Sequence, residues 1–217
     1  MFFNLIFRLL YNKAMTKLGL ISDPHASAAP VAQAISIFNN EQVDAIWCSG
    51  DIAGYGDELD ATISLLQSCH CVSILGNHDI WYLEESDDKV ATTTYPYLDT
   101  LPLTIQRTIE GKTVYMVHAS PPDSLMEGIH LLDQSGHIIE SEKQFWTQRL
   151  DVIEIDVLIV GHTHQVFAER LGPTLVINPG SSRFNHSCAI LSLPDMTVQW
   201  FSLSGQSIQK SWNWAMQ

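Results

Sequence analysis

Residues 156–165 read Asp-Val-Leu-Ile-Val-Gly-His-Thr-His-Gln, "DVLIVGHTHQ". The aliphatic run Val157–Val160 has no polar alternation, the pattern of a strand buried on both faces. Gly161 then ends it, and His162 and His164 follow, one residue apart. In an extended segment, side chains at i and i+2 point to the same side, so the two imidazoles can converge while Thr163 points away. Converging imidazoles pack poorly but ligate metals well. Taken alone, a His-x-His in a loop without a ligand is the commoner case. The rest of the chain has to decide.

Upstream, the same design recurs. "KLGLIS" (17–22) predicts a short buried strand followed by Asp23-Pro24-His25, another pair at i and i+2. A helix is expected over 27–40, with Val31, Ile35 and Phe38 on one face. "VDAIWCS" (43–49) predicts a strand ending in Gly50-Asp51, and a helix is expected over 57–68. "CVSIL" (71–75) predicts a strand ending in Gly76-Asn77-His78-Asp79. Strand, polar motif and helix in repetition indicate parallel strands with crossover helices. Ligands in such sheets sit beyond the carboxyl ends of the strands, where each polar motif falls.

Downstream, residues 80–100 are polar and mixed, with Glu84, Glu85, Asp87 and Asp88, and read as an excursion over the sheet rather than core. "TIQRTIEGKTVYMV" (104–117) is a hairpin with Glu110-Gly111 at its turn, and its second strand ends at His118. Residues 120–140 read as a long loop or lid, and a helix near 141–151 leads back to the opening strand. "VFAERL", "TLVINPGS", "CAILSL" and "TVQWFSL" are short runs with tight connections, which suggests antiparallel strands. A βαβ half and a β-rich half suggest two sheets face to face with helices outside. No repeat and no Gly-, Ser- or Pro-rich linker divides residues 15–217, so one domain is expected.

Composition bounds the function. The chain has 217 residues, 46% of them hydrophobic, enough for one good-sized core. Its formal net charge of −13 repels phosphate backbones and argues against a general nucleic-acid binder. Of four cysteines, Cys48 and Cys188 lie in strand-like runs, and Cys69-His70-Cys71 lacks the second Cys pair of a zinc knuckle. Nothing demands disulfides, so a reducing cytoplasm fits. No apolar run reaches the roughly 18 residues needed to span a bilayer. Residues 1–14, "MFFNLIFRLLYNKA", place Phe2, Leu5, Ile6, Leu9 and Leu10 on one helical face. They lack the basic start and small-residue cleavage site of a signal peptide. They read as a helix packed on the domain, an interfacial helix, or an apolar extension ahead of a start at Met15.

The strand-end residues form a set: Asp23, His25, Asp51, Asn77, His78, His118, His162 and His164. Carboxylate, imidazole and one amide oxygen suit first-row divalent ions such as Mn, Fe, Zn, Co or Ni better than all-oxygen Ca²⁺ sites. Each motif alone has a plain alternative. Ser22 or Asp23 could cap a helix, His118 could be a core histidine, and "GD" is common. Their joint occurrence in one order at predicted strand ends favours a shared site.

The series "SDPH … SGD … GNHD … VHAS … GHTH" resembles the calcineurin-like metallophosphoesterases, from about Lys17 to about Leu203. "GDIAGYG", "VHASP" and "INPGSS" are most similar to the small bacterial branch that includes YfcE-like phosphodiesterases. The resemblance implies a four-layer α/β/β/α sandwich of two mixed sheets, with two divalent metal ions between the sheet ends. It assigns Asp23, His25, Asp51 and His164 to one ion, and Asp51, Asn77, His118 and His162 to the other, with Asp51 bridging. It puts His78 beside the substrate as a catalytic residue that protonates the departing oxygen. It implies hydrolysis of a small phosphodiester, phosphomonoester or nucleotide by in-line attack of a metal-bridging hydroxide on phosphorus. The protein-phosphatase branch carries Asp-Arg where this chain has Gly54-Tyr55, which argues against that substrate class and leaves open what orients His78. A non-catalytic retromer subunit of the same family departs at the position of His78, which is present here. Arg183, after "NPGSS", is a candidate phosphate contact, as is Asn77.

Overall fold

The computed structural model describes residues 15–85 and 94–212. The apolar segment 1–14, Asp87, Asp88 and Trp214 lie outside the described residues. Strands β1 (Thr16–Ile21), β2 (Ala45–Cys48) and β3 (Val72–Ser73) run parallel, connected by helices α1 (Ala28–Asn40) and α2 (Leu59–Ser68). This is the expected βαβαβ unit, with boundaries shifted by no more than two residues. Helices α3 (Asn77–Glu85) and α4 (Thr94–Asp99) follow. The region read as an excursion is therefore helical at both ends. Leu98 is buried, and Ile80, Leu83 and Tyr97 pack on the core behind the sheet, so an apolar stripe lay hidden among the acidic residues.

The hairpin β4 (Thr104–Ile109) and β5 (Lys112–Val117) forms in the expected register, with Ile109 opposite Lys112. Helix α5 (Glu140–Leu150) leads to β6 (Val157–Ile159), then β7 (Val166–Leu171), β8 (Thr174–Pro179), β9 (Ser187–Leu193) and β10 (Thr197–Ser202). One sheet has the order β10-β9-β1-β2-β3, the other β4-β5-β6-β8-β7. The C-terminal β-rich stretch thus serves both sheets. β8 pairs parallel with β6 as well as antiparallel with β7, and β9 pairs antiparallel with β1. Tight connections predicted antiparallel neighbours, but they carry no information on which sheet receives each strand.

Period-2 alternation assigns the layers. Leu18 and Leu20 of β1 meet Ile159 and Ile177 between the sheets, while Ile21 joins Val31 and Phe38 of α1 on the outer face. Gly19 faces outward under Phe38: a Cβ there would stand 2.8 Å from the ring, so the glycine lets α1 lie close. In β6, Val157 and Ile159 face the inter-sheet core, whereas Leu158 packs outward with Trp146 and Leu150 of α5. That two-sided burial explains the unbroken aliphatic run, each such side chain contributing about 1.5–3 kcal/mol. The result is an α/β/β/α sandwich of two mixed five-stranded sheets. The loops after β1, β2, β3, β5 and β6 all open at one edge of it.

Candidate metal centre

Three loops build the floor. Asp23 N–H donates to Gly50 O (3.0 Å), His25 N–H to Asp51 O (3.0 Å) and Ala26 N–H to Ile52 O (2.7 Å), which zips the loop after β1 to the loop after β2. Pro24 has no N–H and falls between two bonded residues, so it fits. Asp79, wholly buried, accepts from Ala53 N–H (2.7 Å) and Gly76 N–H (2.8 Å) and ties the second loop to the third. The reading of Ser22 or Asp23 as a helix cap is replaced: the Asp23 carboxylate accepts from Ser22 Oγ and from His162 N–H (3.2 Å).

The glycines act on these loops rather than on a substrate. A Cβ at Gly76 would lie 2.1 Å from Asp51 Oδ1, and one at Gly161 would lie 2.7 Å from Asp23 Oδ2. Each glycine makes room for a carboxylate from the neighbouring loop. The pleated-strand reading of the two histidine pairs also needs correction. Asp23, His25, Asp51, His162 and His164 all have positive φ, between 45° and 64°. This left-handed backbone is rarely adopted by non-glycine residues and marks strain concentrated at a site. His162 and His164 consequently diverge into different clusters.

One cluster contains Asp23, His25 and His164; the other contains Asp51, His118 and His162. In each, the ligand atoms lie within 4.8 Å of one another. His25 Nε2 is 3.0 Å from His164 Nε2, and His164 Nε2 is 3.3 Å from Asp23 Oδ1. His118 Nε2 is 3.4 Å from Asp51 Oδ1 and 3.1 Å from Asn77 Oδ1, which is also 2.9 Å from His162 Nδ1. Asp51 lies between the clusters, with Oδ2 at 3.9 Å from His25 Nε2. All seven donors expected from sequence therefore meet at one place.

The donor chemistry fits divalent cations. His25 Nδ1 faces Ala53 O (3.1 Å) and His118 Nδ1 faces Ser49 O (2.7 Å). A carbonyl only accepts, so each Nδ1 carries a hydrogen, and in the neutral ring Nε2 turns a lone pair inward. Those lone pairs face carboxylate oxygens, so a proton or a cation must lie between them. For His118 a proton would serve: burial opposes its charge, but the Asp51 carboxylate holds its pKa up at about 9. For His25 burial wins and brings it down to about 4, so this ring is neutral and suits a cation partner. Burial and the neighbouring His118 likewise bring His162 down to about 4. Burial opposes the charge on Asp23, yet His164 and the other imidazoles hold its carboxyl well below the usual range.

His78 forms a third group with His25 and Asp51, one residue from each cluster, with ligand atoms again within 4.8 Å of one another. Its N–H donates to Asp51 Oδ1 (2.9 Å) at the start of α3, and its ring lies over Gly54. The rings of Tyr55 and Trp81 each stand 4.7 Å from it. Aromatic packing thus fixes the ring whose orienting group sequence left open. Arg183 is not in the cavity wall. Its Nη1 donates to His25 O (3.2 Å) and Ser27 Oγ (2.8 Å), bracing the first loop from behind.

Sequence reading overlooked several supports. Buried Asn178 donates to Gly161 O (2.8 Å) and Thr163 Oγ1 (3.0 Å), and Ser181 Oγ donates to Asp23 O (2.6 Å), so "NPGSS" is a brace for two site loops. The loop 120–140 is pinned rather than free, because Gln165 Oε1 accepts from Leu131 and Leu132 N–H. Its Met126 and His130 join Asp51, His78 and His162 in lining a cavity of about 260 Å³. No local pattern in "SLMEGIHLL" signals that placement.

Fold and site define the class: an α/β/β/α sandwich with a candidate metal centre at its sheet ends. The Calcineurin-like phosphoesterase superfamily domain matches residues 16–195, and the chain belongs to that family. The uncharacterised protein MJ0912 of Methanocaldococcus jannaschii is 28% identical over 180 residues, covering 75% of this chain and 68% of its own. A metallophosphoesterase from Sphaerobacter thermophilus superposes with a TM-score of 0.66 at 22% identity, covering 88% of this chain and 90% of that one. The E. coli phosphoesterase YfcE does so with a TM-score of 0.52 at 18% identity, covering 87% and 100%. At these identities the two structures speak to the fold alone. Among the described residues no helix is long and apolar enough to cross a membrane.

Proposed function

We propose that the protein is a metal-dependent phosphoesterase that hydrolyses a small phosphodiester, phosphomonoester or nucleotide. Asp23, His25, Asp51 and His164 would hold one divalent ion. Asp51, Asn77, His118 and His162 would hold a second, with Asp51 shared. Such ions, when bound, supply Lewis acidity: they acidify water and offset charge growing on phosphoryl oxygens. Asn77 gives a neutral oxygen, which leaves its ion more electrophilic than a third carboxylate would. His78, packed against Tyr55 and Trp81 in the cavity wall, would pass a proton to the leaving oxygen.

The observation that carries this reading is the set of imidazole lone pairs turned toward Asp23 and Asp51 in two clusters that meet at Asp51. A cavity of about 260 Å³ and a net charge of −13 favour a small ester over a phosphoprotein or long nucleic acid. Elemental analysis of the purified protein, with a panel of chromogenic monoesters and diesters assayed in added Mn²⁺ against phosphopeptides, tests it. Asp51→Asn should lose metal and activity together. His78→Ala should keep metal and lose kcat, most severely for poor leaving groups. Full turnover after exhaustive chelation would overturn the metal role, and full turnover of His78→Ala on poor leaving groups would overturn the acid role.

A further inference from the structure

Large apolar side chains are rarely left in water without a reason when they gather at one place. Seven are well exposed among the described residues, and three of them, Tyr55 (55%), Trp81 (42%) and Met126 (61%), line the wall of the candidate metal centre. They come from separate elements: the loop after β2, helix α3 and the loop after β5. Local structure explains why Trp81 and Tyr55 point there. Trp81 stands three residues after His78 on α3, so the two side chains share a helix face. Tyr55 sits between Gly54 and Gly56 with φ of 50°. A Cβ at Gly54 would stand 2.6 Å from His78 Nδ1, and one at Gly56 would stand 2.4 Å from Ala26 O. The two glycines wedge the loop so tightly that the Tyr55 backbone is fixed while its ring remains at the surface. The ring leans on His25 and His78, each at 4.7 Å between centroids. These are preset surfaces, not side chains waiting to fold inward.

Resting on the phosphoesterase reading above, we infer that Tyr55, Trp81 and Met126 form a leaving-group subsite for a planar aromatic ring, such as an aryl or nucleobase-bearing alcohol. The position of His78 gives the direction. Hydrolysis breaks the P–O bond to the leaving oxygen; that oxygen keeps the bond pair and takes a proton, and the oxygen of water ends on phosphorus. If His78 supplies the proton, the leaving oxygen lies next to its ring. The atoms attached to that oxygen then lie against Tyr55 and Trp81, whose rings each stand 4.7 Å from His78. Aromatic faces and a polarisable thioether favour a flat, apolar ring there.

The test compares two diesters, methyl phenyl phosphate and methyl hexafluoroisopropyl phosphate, whose leaving groups are of similar acidity but of which one is planar. In the metal-loaded protein, kcat/KM for the phenyl ester should exceed that for the fluoroalkyl ester on the order of tenfold. Trp81→Leu should bring that ratio toward one, and Tyr55→Leu, an independent change on another loop, should do the same. Phenyl phosphate should inhibit better than phosphocholine, which offers a cation in place of a ring. Equal kcat/KM for the two esters, an unchanged ratio in both variants, or stronger inhibition by phosphocholine would overturn the subsite while leaving the phosphoesterase reading intact. If neither these esters nor any monoester or diester of the chromogenic panel is hydrolysed under any metal, the phosphoesterase reading fails and the subsite with it.

Discussion

Replacing Gly161 with alanine tests the centre without touching any proposed ligand. Gly161 is outside the left-handed region, so alanine can adopt its backbone conformation. The obstacle is space. The new Cβ would stand 2.2 Å from Ser22 Oγ, 2.7 Å from Asp23 Oδ2 and 3.2 Å from Ser49 Oγ. Comfortable heavy-atom contact begins near 3.5 Å, so the hydroxyl and the carboxylate must retreat by about 1 Å. They are not free to do so. Ser22 Oγ donates to Asp23, Ser49 Oγ donates to Ser22 Oγ (2.7 Å), and Asp23 receives His162 N–H. Strain of this kind costs about 1–3 kcal/mol, which in a domain of this size lowers Tm by about 2–12 °C. A shift of about 1 Å at a reacting centre costs about a hundredfold in rate. Gly111→Ala is the control: nothing lies within 4 Å of its Cβ, and its φ of +74° makes it cost about 1 kcal/mol in stability only. Mn²⁺ titration calorimetry, thermal melts and kcat on a chromogenic diester should find Gly161→Ala folded, at least tenfold weaker for metal and about a hundredfold slower, with Gly111→Ala close to the wild type in both. Wild-type metal affinity and turnover in a folded Gly161→Ala protein would refute the claim that contact across this glycine sets the Asp23 carboxylate.

Two further outcomes are expected. Asp79→Asn leaves one of two buried backbone N–H groups facing a donor instead of an acceptor, so unfolding free energy should fall by about 1–3 kcal/mol by denaturant titration. Mn²⁺ affinity should fall with it, because the two N–H groups belong to the loops carrying Asp51 and Asn77; an unchanged transition midpoint would rule out the tie between loops. A hydrogen bond with Cys71 holds the Cys69 thiol down at about 7, whereas burial pushes the Cys71 thiol up. Cys69 becomes thiolate as pH rises through 7, so iodoacetamide labelling followed by peptide mapping should rise steeply from pH 6 and level off above about 8, with Cys71 lagging. Equal labelling of the two at pH 7 contradicts this.

Much of this protein was legible in sequence, because the decisive features are periodic or local. The two-sided aliphatic run before Gly161 marks β6 as a central strand, and alternation with helical periods marks the βαβ units. The eight polar residues were found because each follows a predicted strand, and parallel pairing sends the strand ends within each sheet to one edge. What lay beyond sequence depends on partners distant along the chain. The acidic stretch after Asn77 hid its helices because the apolar stripe on α3 and α4 is sparse and gains meaning only against the outer face of the first sheet. The role of Gly76 could not be read because the atom that excludes a side chain there, Asp51 Oδ1, comes from another loop. His162 and His164 part because left-handed backbone breaks the pleat, and that conformation is imposed by the braces Asn178, Ser181 and Asp23. Tyr55, Trp81 and Met126 carry no motif; only the packed loops put them around His78. The sequence alone determined which donors exist and which way the strands deliver them. The tertiary structure decided how those donors divide and what surrounds them, because contacts between loops, not propensities within them, set those distances.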